Sequence, residues 1–436
     1  MKSIRKIFGQ GNIYQILFLI LLFILVTKGF NYVKWSLSGK TIHNVLSLLL
    51  LIIVPVFCQI TDRQHFRFHI LTLAFLPFFS VLYSYSEYGQ PIWDGIKATL
   101  SSLLLLFYFV LHRYKIKEGS IMQAILYIAL FIAAMQVIQQ FTYPHVLFGV
   151  HLDEQLKAGE EITSTRNGLW RFRFGTVGYF TAFTMFTIWV KTNKKLMGWT
   201  LVLFGLMLVS IYLTLTRQVI FSAVLVLFLS YFMGREKINI WALIIGMLII
   251  GVSYVYSEEL FDEFVKSTQE DVNNKYIRFA AGQYFLQETF SSVQAMLLGH
   301  GVPFSGEFLR LNENLKNVNH FFVTDVGFIG MMWRFGIPYV LVCYSLLYKV
   351  FWSFREAVPS YIRFFVLFTT IMSVMIFPIV HSFQYILWCL VLYMSDHYIN
   401  EKPKKILLAT ILKKIMMSKH LTRRQQLNLM VKALKK

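Results

Sequence analysis

Long apolar runs, separated by short charged segments, dominate the chain. A membrane-spanning helix needs about 20 mostly apolar residues, and roughly a dozen runs approach that length. The predicted spans are Ile13–Val26, Val45–Ile60, Ile70–Tyr85, Ala98–Leu111, Ile121–Phe141, Gly175–Val190, Trp199–Leu215, Val219–Met233, Ile240–Tyr256, Phe321–Phe351, Phe364–Val380 and Phe383–Met394. The runs are continuous rather than alternating, which excludes a membrane β-barrel. The pattern predicts an all-α polytopic membrane protein with about 12 transmembrane helices.

Lysine and arginine residues orient this predicted bundle, because cytoplasmic loops carry an excess of both. Five alternate loops are basic: Arg63 and Arg67; Arg113, Lys115 and Lys117; Lys191, Lys194 and Lys195; Arg235 and Lys237; Lys349, Arg355 and Arg363. We therefore expect these loops and both termini to be cytoplasmic. The first loop, with Lys28, Lys34 and Lys40, departs from the rule.

Three segments outside the spans complete the predicted organisation. Residues 1–399 form a polytopic membrane domain, with two long extracytoplasmic loops at 142–174 and 257–320. Loops of this length are usually functional or disordered. Apolar residues at helical spacing in Ile277–Gln294 predict an amphipathic helix at the membrane surface. Residues 400–436 alternate basic and apolar side chains, which is typical of a cytoplasmic tail that binds anionic headgroups.

Composition supports the membrane interpretation. Hydrophobic residues make up 56% of the chain and charged residues only 15%, against about 25% charged in an ordinary soluble domain. The formal net charge of +20 comes from lysine and arginine residues that cluster in the loops between apolar runs, and the chain has no recognisable nucleic-acid-binding motif. We therefore expect membrane lipid, and no nucleic acid, as a partner. The three cysteines lie in apolar runs, which favours packed thiols over disulfides.

Arginines on the predicted outer side are the first candidates for chemistry. Arg217 lies in a tight turn between two apolar runs, and Arg166, Arg171 and Arg173 form a cluster before a span. Arg278 lies in the amphipathic part of the large loop. Each is either an exposed or headgroup-contacting side chain or part of an anion site, since the guanidinium fork suits bidentate phosphate binding.

The second group of candidates lies where the large loop meets a span. His320 is the best candidate for a general base, because an imidazole titrates near neutral pH. Asp325 follows one turn later, and a carboxylate inside a span needs a partner, for which we expect an arginine such as Arg334. His300 and His381 are expected to be structural. No spacing resembles a metal site, and no Walker or Rossmann motif is present, so no cofactor is expected.

These features together resemble the O-antigen polymerase and O-antigen ligase superfamily of bacterial envelope glycosyltransferases. The resemblance rests on the Arg-rich segment Arg166–Gly175, the Thr214–Arg217 turn, the Leu298–Gly301 turn, and Asn319-His320 followed by Asp325-Val326-Gly327. The ordered combination, with about twelve spans, covers most of the chain. The Asp-x-Gly after the histidine is more similar to the polymerases than to the ligases.

The resemblance implies a GT-C-like enzyme of polysaccharide biosynthesis, such as lipopolysaccharide or capsule, in the bacterial plasma membrane. It implies metal-independent inverting transfer from a polyprenyl-pyrophosphate-linked oligosaccharide (the undecaprenyl type), and a chain-length regulator protein as a partner. Arg217, Arg166, Arg171, Arg173 and Arg278 would bind pyrophosphate or saccharide, and His320 and Asp325 would be catalytic. Three alternatives stay open: a ligase that moves glycan to lipid A core or protein, a transporter or flippase, and a non-catalytic scaffold.

Overall fold

In a computed structural model, the described residues of the protein form a bundle of α-helices with a short two-stranded β-hairpin. The structure describes residues 7–32, 34–35, 39–143, 145–149, 164–166, 169–172, 174, 178–232, 277–377 and 379–417, with backbone only for 164–166, 231–232 and 403–417. The predicted span Ile240–Tyr256 and the end of the tail therefore lie outside the described residues.

The elements follow the apolar runs. The helices are α1 (Ile13–Val26), α2 (Gly39–Phe57), α3 (Arg67–Tyr88), α4 (Ile92–Thr99), α5 (Phe107–Tyr114), α6 (Glu118–Thr142), α7 (Tyr179–Lys191), α8 (Trp199–Leu213), α9 (Arg217–Phe232), α10 (277–289), α11 (Val293–Leu298), α12 (Gly306–Asn317), α13 (Gly327–Tyr348), α14 (Ser360–Met372) and α15 (Ser382–Met417). Strand β1 (Ser164–Arg166) pairs antiparallel with β2 (Leu169–Arg171).

Five helical segments of the described chain are long and apolar enough to cross a membrane: Gly39–Phe57, Arg67–Tyr88, Ile92–Tyr114, Glu118–Thr142 and Val323–Ser353. Four shorter apolar helices accompany them: Ile13–Val26, Trp199–Leu213, Arg217–Ser230 and Ser360–Met372. The prediction of an all-α membrane protein is confirmed. The number of twelve spans stays a prediction.

Three predicted spans are interrupted in the structure. A 3-10 segment, Leu100–Leu106, separates α4 from α5. Helix α13 is broken at Gly336, whose φ of 80° and ψ of 168° are not helical. Helix α14 ends at Met372, and the described residues 373–377 and 379–381, which lead to α15, are not helical where the hydropathy pattern predicts a helix to Val380. Continuous hydrophobicity conceals such breaks, because an irregular segment buried in protein can be as apolar as a helix.

The helix ends gather at two faces. We call upper the face that carries the α3–α4 turn and the β-hairpin; there α6, α8 and α14 end, and α2, α7, α9 and α15 begin. The opposite, lower face carries the loops 58–66, 115–117, 192–198 and 354–359. The basic residues that predict the cytoplasmic loops lie at this lower face or one turn from it. Arg235 and Lys237 are outside the described residues. Lys40, which departed from the rule, packs on the upper face with Nζ 3.7 Å from the ring centre of Phe304.

A compact cap of residues 277–317 covers part of the upper face. Phe285 of α10 and Phe308 of α12 pack against Trp333 of α13, with ring centres 5.2 and 5.9 Å apart. His300 is buried between them: its Nε2 donates to the carbonyl of Glu288 at 3.2 Å, and its Nδ1 accepts from the Tyr88 hydroxyl at 2.6 Å. Burial lowers the pKa of His300 to about 4. His300 therefore has the buried, hydrogen-bonded environment of a structural residue.

A buried carboxylate connects α15 with neighbouring segments near the lower face by hydrogen bonds. Asp396 of α15 is fully buried and accepts hydrogen bonds from the Tyr108 hydroxyl and from the backbone nitrogen of His65. The Nε2 atom of His112 lies 3.1 Å from the same carboxylate. A buried charge is tolerated only with such partners. Helix α15 continues past residue 400 without a break, so the tail begins as an extension of the last helix.

Candidate functional site

The Arg-rich segment and the Thr214–Arg217 turn meet on the upper face. The Nη2 atom of Arg171, in β2, donates a hydrogen bond to the Oγ1 atom of Thr216 at 3.2 Å. The turn is tight, since Leu215 has a φ of 48°, a left-handed conformation that costs a non-glycine residue roughly 1–2 kcal/mol. The structure thus brings together two of the segments that the sequence singled out separately.

Arg217 begins helix α9 directly after this turn and is half-buried. The first turn of a helix carries free N–H groups and a positive end of the helix dipole, which disfavours a cation and favours an anion. Arg171 adds a second guanidinium beside the turn through its bond to Thr216. The helix end and the two guanidinium groups each favour an anionic group at this point.

An apolar groove of about 340 Å³ lies next to Arg171. Its walls come from the ends of α6 and α8 and from β2: Val137, Gln140, Phe141, Leu169, Trp170, Val209 and Leu213. Trp170 is held in place by Gln140, which bonds both its backbone nitrogen and its carbonyl, and by the ring of Tyr143 stacked 3.5 Å away. The groove therefore has a rigid apolar wall, and Arg171 directly follows Trp170 in the strand that forms part of it.

The other predicted arginines are not joined to this pair by any contact among the described residues. Arg278 is exposed on α10, at the outer surface of the cap. Arg166 pairs through its backbone with Leu169 in the hairpin, and its side chain lies outside the described residues, as does the whole of Arg173. Their roles in substrate binding stay predictions.

His320 and Asp325 lie on the segment that connects α12 to α13, and both are exposed. His320 has a φ of 55°, a left-handed conformation that closes α12 and allows the Phe321 nitrogen to bond the Leu315 carbonyl at 2.8 Å. The Asp325 carboxylate accepts a hydrogen bond from the Thr324 hydroxyl at 3.2 Å. The expected ion pair between Asp325 and Arg334 is not formed: Asp325 faces solvent, so it does not require a buried partner.

A second polar region, which sequence reasoning missed, is a cavity of about 280 Å³ inside the bundle. It lies where the three interrupted spans meet, between the first turn of α2 and the middle of α3. The polar side chains that line it are His43, Thr99, Ser101, Ser102, Arg334, His381, Ser382 and Tyr385, and no carboxylate is among the lining residues.

Arg334 is the charged group of this cavity. Its Nε atom is buried without a hydrogen-bond partner, and no carboxylate within the described chain pairs with its guanidinium. Its guanidinium carbon lies 5.2 Å from the ring centre of Phe377, a contact worth about 0.5–2 kcal/mol. A charge near the centre of a span costs about 2.5–3.5 kcal/mol by insertion scales. The ring therefore offsets only part of the cost.

Two histidines at the rim of the cavity have different environments. The Nε2 atom of His43 lies 2.9 Å from the Val26 carbonyl, so it carries the proton, and its Nδ1 accepts from the Ser382 hydroxyl at 2.8 Å. His381 presents its accessible surface to the cavity and forms no hydrogen bond through its ring with a described residue. The ring of His381 is therefore the more accessible of the two.

The signal for this cavity was present in the sequence as an arginine inside an apolar run, and such residues usually mark functional sites. The sequence favours Asp325, in the same apolar run, as the partner of Arg334, and so does not indicate the cavity. Comparison with known proteins adds no assignment, since the chain matches no protein-family model and no curated protein.

Proposed function

We propose that the protein is a glycosyltransferase of the bacterial plasma membrane that polymerises lipid-linked oligosaccharide repeat units. The donor is a polyprenyl-pyrophosphate oligosaccharide, and the upper face is the outer face of the membrane. One observation supports this most: Arg171 bonds Thr216 beside Arg217, next to the apolar groove of about 340 Å³. A lipid pyrophosphate matches these two features, since its apolar chain suits the groove and its anionic head suits the arginines.

In the proposed reaction the two guanidinium groups hold the pyrophosphate and stabilise the charge that develops on it as it leaves. The acceptor hydroxyl oxygen attacks the anomeric carbon from the face opposite the pyrophosphate, so the configuration inverts. The bond between that carbon and the phosphate oxygen breaks, and the electron pair leaves with the lipid pyrophosphate. The hydroxyl proton passes to His320, with Asp325 on the same segment as the second catalytic candidate.

The architecture of about twelve spans with a GT-C-like arrangement is part of this proposal. The cap of residues 277–317 and the hairpin of β1 and β2 stand on the same face as Arg171, Arg217 and His320. A saccharide between these two parts would lie against the arginine pair, while its lipid stays in the groove. A chain-length regulator protein would bind on this face. The basic tail would bind anionic lipid on the opposite face.

The test is glycan extension by the purified protein in lipid nanodiscs, with a synthetic polyprenyl-pyrophosphate oligosaccharide as the only saccharide. We expect products longer by whole repeat units, and release of the lipid pyrophosphate. Extension that requires lipid A core or a protein acceptor would identify a ligase instead. Movement of the lipid across the bilayer of liposomes, without any new glycosidic bond, would identify a flippase and contradict the proposal.

A further inference from the structure

The cavity around Arg334 is built by three breaks in membrane helices. Ser101 stands on the 3-10 segment between α4 and α5, Arg334 stands just before the break of α13 at Gly336, and His381 ends the connector to α15. Irregular backbone inside a membrane protein is tolerated where it lines a cavity. Three independent breaks around one space indicate that the space itself has a role.

Three of the groups that face this space have no acceptor among the described residues. The Nε atom of Arg334 is buried and unpartnered, and the Ser101 hydroxyl and the His381 ring form no hydrogen bond with a described residue. The carbonyls of Trp333 and Arg334, next to the break, already accept hydrogen bonds. Their donors are the backbone nitrogens of His300 and Gly301, at 2.7 and 2.8 Å. The cavity therefore lacks an anionic acceptor.

We propose that this cavity binds a phosphoryl group, with the guanidinium of Arg334 as its counter-charge and Ser101 and His381 as hydrogen-bond donors. The planar fork of arginine matches the oxygens of a phosphate in pairs, which a chloride ion cannot use. The volume of about 280 Å³ is near the lower end of small-ligand pockets and exceeds the need of a single atomic ion. This site is separate from the arginine pair at the groove and does not depend on the proposed function.

The experiment measures binding of inorganic pyrophosphate, by calorimetry, to the full chain in nanodiscs at constant ionic strength set with chloride. The protein carries Arg217→Ala throughout, so that the groove does not contribute. We expect Arg334→Gln to weaken binding about tenfold or more, because a charged hydrogen-bond pair is lost. Arg310→Gln is the matched control, since Arg310 is exposed on α12 of the same face, and it should leave the affinity unchanged.

Ser101→Ala is a second variant that keeps the test decisive if Arg334→Gln does not fold. Removal of this hydroxyl disturbs no other hydrogen bond and should weaken pyrophosphate binding about three- to tenfold. A parallel series with a short-chain polyprenyl pyrophosphate distinguishes the source of the phosphoryl group: a site for a lipid head binds the lipid form more tightly, and a site for a free anion binds both equally. Absence of binding by either compound, or equal affinity in the wild type and in both variants, would overturn the proposal.

Discussion

Gly299 and Gly336 touch through their backbones, and the position of Arg334 follows from that contact. A Cβ atom on Gly299 would overlap the backbone nitrogen of Gly336, and one on Gly336 would overlap the carbonyl of Leu297. Both residues have positive φ, 72° and 80°. The turn after α11 therefore inserts against the break of α13, where its backbone nitrogens bond the carbonyls of Trp333 and Arg334.

The first prediction concerns this contact. We expect Gly299→Ala to reduce the free energy of unfolding by about 2–5 kcal/mol, from overpacking and from the left-handed φ. Thermal unfolding in detergent measures it. Gly205→Ala is the matched control: Gly205 lies in α8 with open space around its Cα, so alanine should stabilise the helix by up to about 1 kcal/mol. Equal unfolding temperatures for the two variants would contradict the close contact.

The second prediction concerns the pH dependence of stability through His300. The folded state holds the pKa of His300 at about 4, below its ordinary value of 6.5. The unfolded chain therefore binds a proton that the folded chain does not bind between about pH 6.5 and pH 4. Stability from this residue is complete above pH 6.5 and is lost as the pH falls towards 4, by roughly 3 kcal/mol in total.

His300→Phe tests this assignment, because it keeps a ring against Trp333 but cannot be protonated. The variant should be less stable than the wild type at pH 7.5 by about 1–3 kcal/mol, since the Tyr88 hydroxyl loses its acceptor. Its stability should change less between pH 6.5 and pH 4 than that of the wild type. A parallel pH dependence in both proteins would assign the titration to another group.

The third prediction concerns the arginine pair. Arg217→Ala should abolish glycan extension while the protein stays folded, and Arg217→Lys should recover little, since an ammonium cannot bind phosphate bidentately. Thr216→Val should reduce extension about tenfold, because it removes the hydroxyl that holds Arg171 and so loosens one guanidinium. Extension by purified variants in nanodiscs measures all three. If both Arg217 variants still made full-length products, Arg217 would serve only to contact lipid headgroups, and the prediction would be wrong.

The fourth prediction concerns His320. Its φ of 55° makes His320→Asn the better variant, because asparagine tolerates the left-handed conformation and carries no base. We expect turnover to fall about 10²–10⁴-fold with donor binding unchanged. His320→Ala should show the same loss of turnover together with a lower unfolding temperature. Loss of donor binding in His320→Asn would mean that this residue holds the substrate, and normal turnover would leave Asp325 as the candidate base.

The fifth prediction concerns orientation. Asn314 on α12 and Lys195 below α7 are exposed at opposite faces, and the native cysteines are buried. Asn314→Cys should react with an impermeant maleimide in intact cells, and Lys195→Cys only after the plasma membrane is opened. The reverse pattern would invert the assignment of the upper face to the outside.

Most helix positions could be predicted from the sequence, because an apolar run in lipid has to satisfy its own backbone hydrogen bonds. The bounds of α1 are as predicted, and those of α8 differ by two residues. The meeting of Arg171 with the Thr216 turn could not be predicted. Forty-five residues separate the two along the chain, and no periodicity encodes a hydrogen bond over that distance.

The amino-acid sequence by itself determined that this is a helical membrane protein, where most of its helices run and which of its basic loops share a face. These properties follow from the hydrophobicity of successive residues, which acts locally. Only the tertiary structure decided that Asp325 faces solvent, that Arg334 stands without a carboxylate in a polar cavity, and that His381 lies beside it. Such properties depend on which broken helices meet, and close packing between segments distant along the chain determines that.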